Sequence, residues 1–201
     1  MIIGISGFKQ SGKDTVARML QYLSLSDYSY VRTNQLTFDK SLDYLDTESK
    51  WEIVRFADKV KDLVCTLIDC GRGDLERENF KNTPALYQYT PRQLLQLIGT
   101  DFGRNIIAKN IWIDLTLKSY NSNKHWIIPD VRFKNELEVI KNLGGINIRV
   151  IRDIDSNDRH ESERDLDDSC QLFDYTIDNT SDKDTLLCRV HSISHILFND
   201  L

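Results

Sequence analysis

Gly7 to Thr15 read GFKQSGKDT, directly after the apolar run Ile2-Ile3-Gly4-Ile5 and at the head of an apolar-periodic segment that reaches Leu23. A strand, a glycine-bearing loop and a helix in that order make the cradle that phosphate groups need. Gly7 and Gly12 let the backbone turn tightly so that successive N–H groups face inward, and the helix N-terminus adds partial positive charge. Lys13 is then placed to reach the β- and γ-phosphates of a nucleotide. The generic pattern continues with Ser or Thr, whose hydroxyl holds Mg²⁺, but here Asp14 stands in that place with Thr15 next. Either side chain offers the metal an oxygen, and both stay open. The plain alternative is a glycine-rich connection with a surface lysine, and the flanking strand and helix weigh against it.

Further along, Trp126-Ile127-Ile128 runs into Pro129-Asp130-Val131-Arg132. This puts a carboxylate and a guanidinium at the C-terminal end of a buried strand, the edge where open α/β sheets bind ligands. Asp130 in that position holds Mg²⁺ directly or through water, and Arg132 forks onto a phosphate. The competing role for Asp130 is to cap the helix that starts near Phe133. In TPRQLLQLIGTDFGRN, Thr90 to Asn105, Arg92 and Gln96 lie one helical turn apart and share a face. Gly99 is expected to break that helix, leaving Thr100, Asp101 and Arg104 in a turn. The segment is either a second basic cluster of the kind a phosphorylated acceptor requires or the polar side of an amphipathic helix. Arg152 and Arg159 flank or punctuate the charged stretch DIDSNDRHESERDLDD, residues 153–168, which also holds His160 and Glu163. Such a stretch closes over a nucleotide and keeps water from the γ-phosphoryl group, or is simply solvated. His191 and His195 have the four-residue spacing of metal ligands, but no HExxH glutamate and no third ligand accompany them, so metal binding there is not the expected role.

These groups need a frame. Strand-like and helix-like apolar periods alternate along the chain, the pattern of a parallel sheet wrapped by helices. Strands are expected at Ile2 to Ser6, Glu52 to Phe56, Trp126 to Ile128, Ile146 to Ile151 and Tyr175 to Ile177. Helices are expected at Lys13 to Leu23, Ala57 to Asp69, Pro91 to Ile98, Ile111 to Ser119, Phe133 to Leu143 and Lys183 to Phe198. Pro91 suits a first helical turn behind Thr90 as N-cap, and Gly144-Gly145 ends a helix before the next strand. Residues 24–50, rich in Ser, Asp, Tyr and Thr with a weak helical pattern around Leu36 to Leu45, read as a peripheral insertion. Residues 153–168 read as a loop outside the core.

The chain has 201 residues, enough for one well-buried domain and short for two, so a single domain is expected. With 40% hydrophobic and 28% charged residues it has an ordinary globular composition, and no apolar run is long enough to span a bilayer. The apolar N-terminal residues are consumed by the first strand, which leaves no secretory leader and points to the cytoplasm, or the host cytoplasm if the source is viral. A net charge of −5 argues against wrapping a nucleic-acid polymer, whereas a small phosphorylated ligand needs only a local basic cluster. Cys65, Cys70, Cys170 and Cys188 show neither CxxC pairing nor zinc spacing and read as reduced thiols.

Taken together the chain resembles the phage-type deoxynucleoside monophosphate kinases, a branch of the P-loop kinases related to adenylate kinase. The resemblance rests on SGxKxSGKDT at Ser6 to Thr15, FADKVKD at Phe56 to Asp62, PRQLLQLIGTDFGRN at Pro91 to Asn105, IIPDVRFKNE at Ile127 to Glu136, HESExxLDD at His160 to Asp168 and FDYTIDN at Phe173 to Asn179. In that family Asp commonly follows the loop lysine, so Asp14 departs from the generic motif and not from these relatives. The resemblance implies an α/β three-layer P-loop kinase fold with a five-stranded parallel sheet, an acceptor-binding region over residues 57–105 and a lid over 153–168. It implies ATP with Mg²⁺ as donor and a deoxynucleoside monophosphate as acceptor, no membrane partner, and room for a homodimer. Carried onto this chain, Gly7, Lys9, Ser11, Gly12, Lys13, Asp14 and Thr15 hold the donor phosphates, Asn179 lies near the adenine, and Asp130 with Asp14 or Thr15 serves the metal. Lys61, Arg92, Gln96, Arg104 and Arg132 line the acceptor side, and Arg152 and Arg159 neutralise charge in transit. Animal-type phosphomevalonate kinases share SGKD, a DxR after a long strand and an ESE-like stretch, and a plain P-loop ATPase or nucleotide-regulated binding module shares the loop alone.

Overall fold

The apolar run that opens the chain forms the centre of a sheet. In the computed structural model, which describes residues 1–25, 37–152 and 166–198, the strands are β1 (Ile2–Ser6), β2 (Trp51–Ile53), β3 (His125–Val131), β4 (Ile146–Ile151) and β5 (Tyr175–Asp178). The helices are α1 (Lys13–Leu23), α2 (Phe38–Ser41), α3 (Leu45–Glu48), α4 (Asp58–Ile68), α5 (Glu78–Lys81), α6 (Pro91–Gln96), α7 (Ile111–Leu117), α8 (Lys134–Asn142) and α9 (Lys183–Phe198). The described residues group into two compact units, Met1–Val54 with Asn121–Leu201, and Arg55–Tyr120.

In the first unit all strand pairs are parallel and run in the order β2-β3-β1-β4-β5. Every residue of β1 is buried, as a strand covered on both faces requires, and so it reads as a continuous apolar run. Ile3 and Ile5 face one side with Val16, Met19 and Leu20 of α1 and Leu186, Val190 and Leu197 of α9. Gly4 faces the other side, where an added Cβ would lie 2.6 Å from Ile140 Cδ1 of α8. The alternation along one strand thus sets helices on both faces. The expected five-stranded parallel sheet flanked by helices is what the chain forms.

Boundaries differ from the sequence expectation in instructive ways. β2 starts and ends earlier than Glu52 to Phe56, because the Arg55 N–H already donates to Asp58 Oδ2 at 3.3 Å in the turn that leads into α4. β3 runs on to Val131 through a bulge: Gly4 pairs with Ile128 and Ser6 with Val131, so two steps along β1 match three along β3. The extra residue falls at Pro129-Asp130, where the missing proline N–H makes a ladder bond impossible. Of the stretch 24–50, the described residues 37–50 are less peripheral than expected, since Phe38 of α2 and Leu45 of α3 are buried in the main core. Nearly all of the charged stretch 153–168 lies outside the described residues.

The Arg55–Tyr120 unit is helical. Val64, Leu75 and Leu94 form its centre, with Cys65, Ile68, Phe80, Leu86, Leu95 and Ile98 packed against them. Thr90 and Gln93 cap α6 reciprocally: Thr90 N–H donates to Gln93 Oε1 at 2.9 Å and Gln93 N–H to Thr90 Oγ1 at 3.3 Å, with Pro91 in the first turn. The helix expected to end at Gly99 instead widens into π-helix over Leu97–Ile107, closed by Ala108 N–H on the Gly103 carbonyl at 3.0 Å. Trp112 of α7 explains this. Its Nε1–H donates to the Gly99 carbonyl at 2.7 Å, and its ring lies so close to Gly103 that no Cβ fits there. Gly103 therefore makes room for the tryptophan ring, and Gly99 offers it a carbonyl instead of ending the helix. Burial, with Cys65 alongside, pushes the Cys70 thiol up to about 11, and none of the four cysteines is paired in a disulfide.

One titration follows from the sheet. His125 begins β3 with its ring 5.0 Å from that of Trp51, and its Nδ1 is buried without a hydrogen-bond partner. Burial, then the N-terminal amine and Lys50, hold its pKa below the usual histidine range. The unfolded chain therefore binds a proton more readily than the folded one, so stability is full above the ordinary histidine pKa and is lost as pH falls through the depressed folded value. Thermal melting between pH 8 and pH 5 should show Tm falling below about pH 6.5. His125→Asn should flatten part of that slope and leave part, because burial and then His195 depress His191 in the same direction. A Tm that stays level from pH 8 to pH 5.5 contradicts this.

Candidate phosphate-binding site

β1 delivers the chain to the loop and α1 receives it. Gln10 (φ 65°) and Gly12 (φ 94°) adopt left-handed conformations, the geometry that folds backbone N–H groups into an anion-binding nest. Ser11 N–H closes the turn on the Phe8 carbonyl at 3.1 Å, and Val16 N–H makes the first helical bond to Gly12 at 2.9 Å. Lys13 folds back over the loop, its ammonium donating to the carbonyls of Gly7 at 2.5 Å and Phe8 at 2.7 Å. Ser11 is fully buried and its Oγ has no hydrogen-bond partner among the described residues. Lys9 and Asp14 are exposed, and Thr15 is half-buried beside them at the start of α1.

Three further residues named from the sequence meet or border this loop. Asn179, buried just beyond β5, donates from Nδ2 to the Ser11 carbonyl at 2.8 Å, and its own N–H bonds the Ile151 carbonyl at 2.7 Å. In this structure it braces the loop. Arg152, at the end of β4, brings Nη1 within 3.4 Å of the Gln10 carbonyl. Asp130 is half-buried at the β3 bulge, one residue before Val131, which pairs with Ser6 where β1 hands over to the loop. The cap of α8 is supplied by Glu136, whose Oε2 accepts from Arg132 N–H at 2.7 Å and Phe133 N–H at 3.1 Å. The Arg132 side chain is exposed. Arg159, His160 and Glu163 lie outside the described residues.

Lys61, Arg92, Gln96 and Arg104 all belong to the Arg55–Tyr120 unit, and there two of the cations already hold carboxylates. Lys61 Nζ lies 2.7 Å from Glu76 Oε1, with Lys81 at 4.0 Å from the other oxygen. The hydrogen bond from Lys61 keeps the Glu76 carboxyl below its usual range, helped by the charges of Lys61, Lys81 and Arg55. Arg92 donates to Glu78 Oε2 at 2.6 Å and to Asn82 Oδ1 at 3.0 Å. Arg104 reaches the Lys109 carbonyl at 3.3 Å from the π-helix, and Gln96 is exposed at the end of α6. The acids Glu76 and Glu78 were not foreseen. Their signal lay in the run DLERENF, whose acids sit close in sequence to the helix that carries Lys61.

Arg149 was also missed, although a lone basic residue inside the run INIRVI is a visible anomaly. Glu136 had a readable signal, a glutamate three residues after the helix N-cap.

Comparison with known proteins matches the chain to one family. A family model described as deoxynucleotide monophosphate kinase matches residues 33–190. A candidate deoxynucleotide monophosphate kinase of Acanthamoeba polyphaga mimivirus is 40% identical over 93 residues, covering 38% of this chain and 47% of that protein. The deoxynucleoside-5'-monophosphate kinase of Escherichia phage T5 is 33% identical over 61 residues, 29% of this chain and 24% of that protein. The deoxynucleotide monophosphate kinase of Enterobacteria phage T4 is 33% identical over 85 residues, 39% of this chain and 35% of that protein. The matched stretches thus span less than half the length of each of these relatives. The family model, by contrast, takes in most of the chain from the residues before α2 into α9, and the chain belongs to the deoxynucleotide monophosphate kinase family.

Proposed function

We propose that this chain transfers the γ-phosphoryl group of ATP to a deoxynucleoside monophosphate, giving the diphosphate and ADP. The observation that carries the donor half is the loop itself: two left-handed residues, a helix N-terminus and an ammonium folded over them form a cradle for a polyphosphate. An oxygen of the acceptor phosphate attacks the γ-phosphorus, the bond to the bridging oxygen breaks, and ADP leaves with the electron pair. Transfer of this kind passes through a loose transition state, so positioning and charge stabilisation carry the catalysis and no strong general base is required. Lys13 and the loop N–H groups fix the donor phosphates, while Arg132, Arg152 and Arg159 offset the charge of the group in transit. Asn179 holds the loop in shape and lies toward the adenine.

Magnesium fits the donor set. Among the described residues no three His, Cys, Asp or Glu side chains gather into a closed metal cage, and Mg²⁺ takes one or two carboxylates with substrate phosphates and water. Asp130 with Asp14 or Thr15 would hold it. Bound there, it would supply positive charge against the donor phosphates.

Lys61, Arg92, Gln96 and Arg104 with Arg132 are the acceptor-side residues of this reading. The Glu76 and Glu78 pairs do not stand in the way. Both acids are more than half exposed, and exposed pairs contribute about 0–1 kcal/mol, so a doubly charged phosphate displaces them. Among the described residues no helix is long and apolar enough to cross a membrane, and action on free nucleotides in the cytoplasm agrees with that, as monomer or homodimer.

ADP formation measured with no acceptor, with each of the four deoxynucleoside monophosphates and with phosphomevalonate tests the assignment. ADP release should require a deoxynucleoside monophosphate. Release independent of any acceptor makes the chain an ATPase or switch, and release with phosphomevalonate alone makes it a different small-metabolite kinase.

A further inference from the structure

One cation lies beside the loop without a part in the reaction described above. Arg149 stands in β4 opposite Ser6, the last residue of β1 before the loop, and opposite Thr176 of β5. Its guanidinium carbon lies 5.8 Å from the centre of the Phe8 ring and 5.4 Å from that of Phe173, and Nη1 donates to the Leu166 carbonyl at 3.1 Å. Both rings are within the range of cation–π attraction, and a planar guanidinium can bridge two aromatic rings where an ammonium cannot.

The two rings are not equivalent. Phe173 sits between two anchored neighbours. The Leu172 carbonyl accepts from Asn147 Nδ2 at 3.1 Å, and Asp174 exchanges hydrogen bonds with the Asn147 backbone, both at 2.8 Å. Asn147 itself is fully buried and tied to the Leu137 carbonyl at 3.0 Å. Phe8, by contrast, belongs to the loop, and its carbonyl accepts both Lys13 Nζ and Ser11 N–H. A fixed wall, a planar cation and a loop ring therefore stand in series, with the seat of Lys13 at the end.

We infer that Arg149 is a positioning residue for ATP binding: it holds Phe8 against the β4–β5 wall and so sets where the loop presents Lys13 and its N–H groups. This inference rests on the reading of Gly7 to Thr15 as the donor site. Loss of the bridge affects ground state and transition state alike, which raises KM and leaves kcat nearly unchanged.

The test compares Arg149→Met, Arg149→Lys, Phe8→Leu and Lys13→Ala in the full chain by steady-state kinetics, direct ATP binding and thermal melting. Arg149→Met is expected to raise the KM and Kd for ATP about tenfold, with kcat within about threefold. Phe8→Leu, which keeps apolar bulk but loses the π face, should do the same, and Arg149→Lys should recover the melting temperature without recovering the affinity. Unchanged ATP affinity in Arg149→Met and Phe8→Leu, beside a Lys13→Ala protein that has lost it, overturns the role of Arg149 and leaves the donor site standing. Lys13→Ala with normal ATP affinity overturns the donor site itself. If Arg149→Met loses its folded state, Phe8→Leu alone decides, and normal ATP affinity in that variant sinks the inference.

Discussion

Lys13→Ala is expected to lower turnover by about two to three orders of magnitude, the cost of removing one preorganised charge from a transferring phosphoryl group. The same change should leave the melting temperature within about 3 °C of the parent. The reason is local. Lys13 is the first residue of α1, where a cation opposes the helix dipole, and alanine removes that penalty of about 0.3–1 kcal/mol. Against this stand the hydrogen bonds from its ammonium to the Gly7 and Phe8 carbonyls, which are only partly buried and each contribute a comparable amount. Two such bonds against one dipole penalty leave a net loss of about 1 kcal/mol, small beside the loss of catalysis. ADP formation with a deoxynucleoside monophosphate, run beside a melting curve, reads both quantities. Turnover within about fivefold of the parent would remove Lys13 from the mechanism.

The second large effect is steric. Gly12 carries φ 94°, and a Cβ placed there would fall far inside van der Waals contact of Asn179 Nδ2. Gly12→Ala thus meets two costs: a left-handed backbone that disfavours side chains, and displacement of the amide that donates to the Ser11 carbonyl. Together they come to about 3 kcal/mol, or on the order of 10 °C in Tm for a chain of this size. ATP binding should be lost with the loop geometry. Asn179→Ala added to Gly12→Ala should recover the steric part and not the backbone part, so the double variant melts above the single one. Gly73→Ala supplies the control, since its φ is −63° and an added Cβ meets nothing within 4 Å. Its Tm should stay level or rise slightly. If Gly12→Ala melts and binds ATP like Gly73→Ala, the tight packing of loop against Asn179 is not what shapes the site.

Features governed by neighbours in sequence were legible. α1 and α9 span the residues that their apolar periodicity marks, and β1 and β4 do likewise, β1 because burial on both faces demands a continuous apolar run. Thr90, Pro91 and Gln93 announce the start of α6 from three adjacent side chains. Features that depend on distant partners were not legible. Gly99 reads as a helix breaker until Trp112 is set against it, and Pro129 reads as a strand end until β1 is laid beside it with one residue fewer. In the candidate site, Lys13 and Arg152 could be named and both meet the loop. Glu76 and Glu78 show in the sequence only as acids in a mixed run, because their pairing with Lys61 and Arg92 exists only once that unit is folded. Arg149 escaped for the same reason: its meaning lies in two rings, one more than 140 residues before it and the other well after it along the chain.

The central place of β1 has a consequence for how the chain comes off the ribosome. Residues 2–6 are among the most apolar of the sequence, yet their strand partners lie at residues 126–131 and 146–149. β1 therefore emerges well over a hundred residues before either neighbour and stays an open, two-sided template for pairing until β4 has been synthesised. At about 5–20 residues per second that wait lasts on the order of ten seconds, far longer than hydrophobic collapse takes. During that interval the IIGIS segment is the part of the nascent chain most exposed to pairing with other chains, and the part whose shielding by a chaperone would most improve the yield of folded protein.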